Sequence, residues 1–393
     1  TAHSLNLVGK CAAESCSAAV SFFDFLKQLH VFFSGSTARW RVLKESCDEV
    51  VKQLSGTRWS ERADAVGALV KSKGYEQVQE ALDDTSQTPE TRGDASGLAA
   101  RMDELDTGIM AELWYEILRH VNKVSLALQD PGVALNTAVD LLKSLVVVLQ
   151  EMREQFDEYE KRGIERVGHG NYKAATRRIR KRNRAYDERT SPETVLDPRE
   201  RFRVEVFLVI VDSLIASLNE RLSAYQVVSN MFGFLGRLQD IPPAEVVTAA
   251  EVLVMKYPED LESDLSAELT HFVKFLDTIG TDKLQDYQGA GVKSSRELLM
   301  FLLLHEQQLT QTFPNVEIML RIYLSMMVSN CSGERTFSKM GIIKSVLRST
   351  TGQQRLNMLS LMNIERDVLR EIDFDDVIDD FARMKARKVS LQT

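Results

Sequence analysis

The chain has 393 residues, 44% hydrophobic and 27% charged, and its net charge of -8 excludes indiscriminate nucleic-acid binding over the whole surface, since phosphate neutralisation needs concentrated Lys and Arg. Eight prolines and 7% aromatics point to long helices rather than a many-turned β fold, in two or three domains or one elongated helical body. Four scattered cysteines, Cys11, Cys16, Cys47 and Cys331, suit a reducing compartment, and with no basic-then-apolar leader and no apolar run long enough to span a membrane, the expectation is a soluble chain with no membrane partner.

In chain order, Val20, Phe23, Leu26, Leu29 and Phe33 have the spacing of an amphipathic helix over 14–33. Ser60 and Glu61 predict a helix start, through a capping hydroxyl and a charge that complements the helix dipole, which leaves Trp59 at a loop-to-helix junction. Residues 83–97 read as a loop, with Thr88-Pro89 opening a short helix that ends near Leu105. Ile109, Leu113, Ile117, Val121, Val124 and Leu128 trace the next helical face, stopped by Asp130-Pro131-Gly132. Ala138, Leu141, Leu145, Val148, Met152, Phe156 and Tyr159 predict one longer helix packed antiparallel to it.

The polar segment 163–191 breaks this pattern and carries Lys173, Arg177, Arg178, Arg180, Lys181, Arg182 and Arg184 with no intervening acid. Asp197-Pro198-Arg199-Glu200 then reads as a capped start, followed by the stripe Val204, Phe207, Val211, Leu214, Leu218, Leu222 and Tyr225. Ile241-Pro242-Pro243 marks a boundary, Leu265, Leu269, Phe272 and Leu276 share a face, and 277–293 reads as a loop. The acidic end, with Asp373, Asp375, Asp376, Asp379 and Asp380, reads as solvated.

One ordered series dominates the C-terminal part: Phe313-Pro314, the apolar Leu320, Ile322 and Leu324, Glu334-Arg335 with Phe337-Ser338, Lys344, Leu347-Arg348-Ser349, and Arg355-Leu356 opening a last helix. It resembles the C-terminal dimerisation region of hAT-superfamily DNA transposases and their domesticated relatives. Ala2-His3-Ser4-Leu5-Asn6-Leu7 resembles the second half of that family's Cys-x-x-His segment, and Thr57-Arg58-Trp59-Ser60 resembles its Arg-Trp block. With Phe32-Phe33-Ser34 and Arg92-Gly93-Asp94-Ala95, these place the chain near the hAT-like proteins found beside MYM-type or THAP zinc fingers.

The resemblance implies a mainly α protein: a remnant of an RNase H-like α/β core over residues 1–60, an all-helical insertion domain over 61–262 with a basic linker at 163–191, a return to the core over 263–312, a helical dimerisation module over 313–370, and an acidic then basic tail over 371–393. It also implies that the two catalytic aspartates of the family lie upstream of the Cys-x-x-His segment, inside which this sequence begins. A lone carboxylate cannot hold the metal pair of two-metal phosphoryl transfer, so the expectation is no strand-cleaving activity, no metal site and no cofactor. The expected role is dimerisation in a nuclear, transposase-derived factor without a small-molecule substrate. Two alternatives stay open: the C-terminal part of a longer active transposase, and a DNA- or chromatin-binding adaptor.

Several residues carry these expectations. Ser266-Ala267-Glu268-Leu269-Thr270 resembles the place of the third catalytic carboxylate, so Glu268 is either that metal ligand or a solvated helix glutamate, with Glu262 a rival. His3 reads as a structural histidine, since its spacing to Cys11 and Cys16 matches no zinc pair. Trp59 is either a ring that stacks on an extruded base near a DNA end or a core aromatic at a helix start. The cations from Lys173 to Arg184 serve phosphate contact, nuclear import or plain solvation. For dimerisation the candidates are Phe313, Pro314, Leu320, Ile322, Leu324, Glu334, Arg335, Phe337, Ser338, Leu347, Arg348, Arg355, Leu356, Leu359 and Ile364, where Glu334 and Arg335 form a turn-fixing ion pair and the apolar positions divide between core and interface. Leu361, Ile364, Val368 and Ile372 recur at spacings of three and four, which fits packing within one chain or across a two-fold axis equally well.

Overall fold

The computed structural model describes residues 2–54, 59–83, 89–130, 133–172, 196–280, 284, 295–326, 337, 339–345 and 348–384. The chain divides into two units, Thr1–Ser329 and Asn330–Thr393. The described residues are mainly helical and contain no strand. Where an edge of an RNase H-like core was expected, over residues 1–60, the described residues form helices α1 (Ala2–Ala13), α2 (Ser17–Ser34) and α3 (Thr37–Ser46) and the start of a fourth at Trp59.

The first unit is arranged around one helix. After α4 (Trp59–Val70), α5 (Gly74–Leu82) and α6 (Pro89–Met102), helix α7 runs from Leu105 to Ala127 and packs against α1, α2, α4 and α6. A helix walled in from several directions must be apolar nearly all round, and α7 buries Ile109, Met110, Ala111, Leu113, Trp114, Ile117 and Leu118 in close succession. Trp114 has no exposed surface and meets the Phe23 ring edge-on at 4.9 Å between centroids.

Helices α8 (Leu135–Arg153) and α9 (Phe156–Val167) follow, and both also pack on α7. The sequence pattern predicted one helix through Tyr159, but the chain bends at Glu154-Gln155. The bend gives α9 its own axis: Phe156 packs edge-on against Phe207 at 5.1 Å, while the Tyr159 hydroxyl donates to Glu116 on α7 at 3.0 Å. Gly163, expected to open a linker, instead sits inside α9 at a close crossing with α7. A Cβ there would lie 2.6 Å from Ile109 Cγ1 and 2.9 Å from the Ile109 backbone nitrogen, so only glycine lets the two helices approach this closely.

Beyond the basic segment, α10 (Pro198–Phe202) starts as the sequence predicts, with the Asp197 carboxylate accepting from the Glu200 N–H at 2.7 Å and Pro198 in the first turn. A π turn at Arg203–Phe207 leads into α11 (Leu208–Phe232), whose buried Ile210, Val211, Leu214, Leu218 and Leu222 lie along α8 and α1. Asn136 ties α8 to the 3-10 turn Gly233–Arg237, donating to the Gly233 carbonyl at 2.7 Å and accepting from the Ser229 hydroxyl at 2.6 Å. Helices α12 (Pro243–Lys256), α13 (Leu265–Ile279), α14 (Arg296–Glu306) and α15 (Pro314–Ser325) complete the unit, α12 on α13 and both α13 and α14 on α15.

The second unit contains α16 (Gln353–Ile364), the short α17 (Arg366–Leu369) and α18 (Asp375–Met384). The stretch 313–370, expected as one module, is therefore shared between the units, with α15 built into the first and α16 into the second. None of the described helices is long and apolar enough to cross a membrane.

Candidate dimerisation surface

Glu268 lies on α13 with 8% of its surface exposed, so it is a buried carboxylate rather than a solvated one. One oxygen accepts from the Val316 N–H at 2.7 Å and the other from the Asn315 Nδ2 at 2.9 Å. Both donors belong to the first turn of α15, where free backbone amides and the positive end of the helix dipole favour an anion. Asn315 Oδ1 accepts in turn from the Glu262 N–H at 2.9 Å, so the rival carboxylate of the sequence reading enters this network only through its backbone. Pro314 at the start of α15 lacks an N–H that would otherwise need a partner.

The same helix carries a second buried carboxylate. Glu317 faces His305 Nε2 of α14 at 3.2 Å, a contact that joins the two helices, and pairs with Arg321 one turn along α15. Further along, burial pushes the Tyr323 hydroxyl pKa up, with the nearby Glu297 carboxylate adding to the shift. Sequence reasoning missed Asn315 and Glu317; the Pro314-Asn315 pair was the available signal for a helix start that needs capping. Among the described residues no group of three or more His, Cys, Asp or Glu side chains could hold a metal ion.

The candidate dimerisation residues separate sharply. Phe313 and Leu320 are buried in the first unit, and Ile322 and Leu324 pack half-buried against the same core. In the second unit Leu356 is buried and Leu359 half-buried, whereas Phe337 is 72% and Ile364 58% exposed. Arg348 and Arg355 are exposed, and Glu334, Arg335, Ser338 and Leu347 lie outside the described residues. Exposure continues through Met358, Leu361, Met362 and Val368. Ile343 and Leu356 are the buried apolar side chains among the described residues of this unit.

Trp59 is the first residue of α4, at the predicted junction, with its side chain outside what is described. The whole run Lys173, Arg177, Arg178, Arg180, Lys181, Arg182 and Arg184 also lies outside the described residues. His3 falls within α1, its side chain likewise not described, while Cys11 is exposed and Cys16 half-buried.

Residues 283–368 match the hAT family C-terminal dimerisation region. That match supports a relation to the hAT family, and it covers α14 and α15 of the first unit together with α16 of the second. No curated protein and no solved structure matches the chain. The region that carries the match thus has two physical halves: one closed into a core, and one that holds a row of apolar side chains in solvent.

Proposed function

We propose that this chain is a self-associating, hAT-derived protein that forms a homodimer through its second unit. The carrying observation is the exposed apolar row Met358, Leu361, Met362, Ile364 and Val368, which lies inside the stretch matched to a dimerisation region. Monomeric proteins rarely leave such a contiguous apolar face in water, and a two-fold axis would let each copy cover the other's. The structural half of the matched region, α14 and α15, holds the first unit together and leaves the second to pair.

In this reading Glu268 serves the fold. Its two oxygens are taken up by the start of α15, which argues for a cap rather than a ligand awaiting a divalent ion. Strand cleavage is accordingly no part of the proposed role, and incubation of supercoiled DNA with the chain and Mg²⁺ or Mn²⁺ should leave it intact. A nuclear location, carried only by the basic run 173–184, belongs to the same proposal. The direct test is sedimentation velocity on the purified chain at micromolar concentration. A dimer or larger species is expected, and Leu361→Asp together with Ile364→Asp should convert it to monomer.

A further inference from the structure

Helix α18 lies beyond Val368, where the family match ends, and its sequence reading as a solvated acidic end leaves half of it unexplained. Phe374, Val377, Ile378 and Phe381 fall at i, i+3, i+4 and i+7, a single helical stripe, and are 38%, 60%, 46% and 52% exposed. Asp376 and Asp379 occupy the opposite face, while Asp375 and Asp380 flank the stripe. No described side chain from 371 to 381 is buried. A helix of 10 residues is too short to persist in water on its backbone hydrogen bonds, so burial of that stripe is what would hold it.

Charge in this unit is segregated on either side of the mixed stretch 365–370, and Asp380 also meets Arg383 on its own helix at 3.3 Å. Residues 371–380 contain six acids and no cation, whereas 335–364 contain five cations and no acid. Of the latter, Lys339, Lys344, Arg348 and Arg355 are exposed. An acidic-rimmed apolar stripe and a cationic segment that ends in an exposed apolar helix are complementary in both respects.

We infer that α18 is a docking arm for a second copy of this chain, an inference that rests on the proposed homodimer and extends its interface past residue 368. The stripe of α18 seats against Met358, Leu361 and Met362 on α16 of the second copy. The flanking Asp375 and Asp380 face that copy's Lys344 and Arg348. By symmetry the second copy returns the same contact, so each dimer contains two such docked arms. Continuity with the matched dimerisation region selects a second copy as the occupant, and opposite charge at the rim fixes the pairing.

A charge exchange tests this. One variant carries Asp375→Lys with Asp380→Lys, and another carries Lys344→Glu with Arg348→Glu. Each alone places like charges opposite one another and should weaken self-association by about tenfold or more in sedimentation equilibrium at low salt. An equimolar mixture restores both contacts and should associate within about threefold of the native chain, with circular dichroism checking that each variant keeps its helix content. Variants that associate as tightly as the native chain would overturn the inference. So would a mixture that associates no better than its components, the outcome expected if α18 folded back onto its own chain. A native chain that is itself monomeric would instead remove the homodimer, and the arm with it.

Discussion

The two units of this chain solve the same physical problem in opposite ways. In Thr1–Ser329, apolar side chains from every helix are turned inward, and even charged groups such as Glu268, Glu297 and Glu317 are enclosed. In Asn330–Thr393 most of the large apolar side chains of α16 and α18 are exposed, Leu356 being buried, while an acidic run at 371–380 stands apart from a cationic one at 335–364. Hydrophobic composition is common to both; what differs is how far the described stripes are exposed. A sequence rich in amphipathic helices therefore builds a self-sufficient body in the first case and a surface in want of a second molecule in the other.

Substitutions should separate the two units cleanly, and the largest effects belong to the first. Trp114→Ala empties a fully buried site and should cost about 3–5 kcal/mol of stability, read as a lower urea midpoint by circular dichroism. Gly163→Ala forces a methyl into the α7–α9 crossing and should cost about 1–3 kcal/mol in the same assay. Wild-type stability in either variant would mean that the first unit is not the tightly closed body described above.

Glu268→Gln sits between the extremes. The amide can still accept from the Val316 N–H, but its NH2 then points at the Asn315 donor, and turning Asn315 around would strip the Glu262 N–H of its acceptor. A loss of about 1–3 kcal/mol is expected from this mismatch. An unchanged midpoint would show that the carboxylate does not cap α15. Leu361→Asp, on the exposed face, should leave the midpoint of the first unit within about 0.5 kcal/mol while reducing association, the reverse of the core variants.

The smallest effect concerns thiol reactivity. Burial pushes the Cys47 pKa up to about 11, with Asp48 and Glu80 adding to the shift, whereas Cys11 is exposed. Iodoacetamide at pH 8 followed by peptide mass spectrometry should label Cys11 well before Cys47, because the thiolate is the reacting form. Equal labelling would contradict the burial assigned to Cys47.

Much of the first unit was legible because its helices bury one stripe each. The spacing of Phe23, Leu26, Leu29 and Phe33 located α2, and Asp197-Pro198 marked the start of α10. The stripe from Ala138 to Tyr159 misled for a physical reason: Met152, Phe156 and Tyr159 keep helical spacing straight through the bend at Glu154-Gln155, so periodicity could not reveal it. Contacts between distant residues were beyond reach. Glu268 stood out as a carboxylate, yet nothing local to it shows that Asn315 and Val316 would receive it. In the second unit the spacing of Leu361, Ile364 and Val368 was plain, but spacing is silent on exposure. Five aspartates hid the stripe of Phe374, Val377, Ile378 and Phe381 that runs between them.

Sedimentation velocity of the intact chain over a micromolar concentration range, alongside the Leu361→Asp/Ile364→Asp variant, tests the division of labour between the units most directly. The native chain should sediment as a dimer or larger species, and the variant as a folded monomer with the native thermal midpoint of its first unit. A native chain that stays monomeric throughout, or a variant that associates as the native chain does, would contradict the assignment of pairing to the second unit.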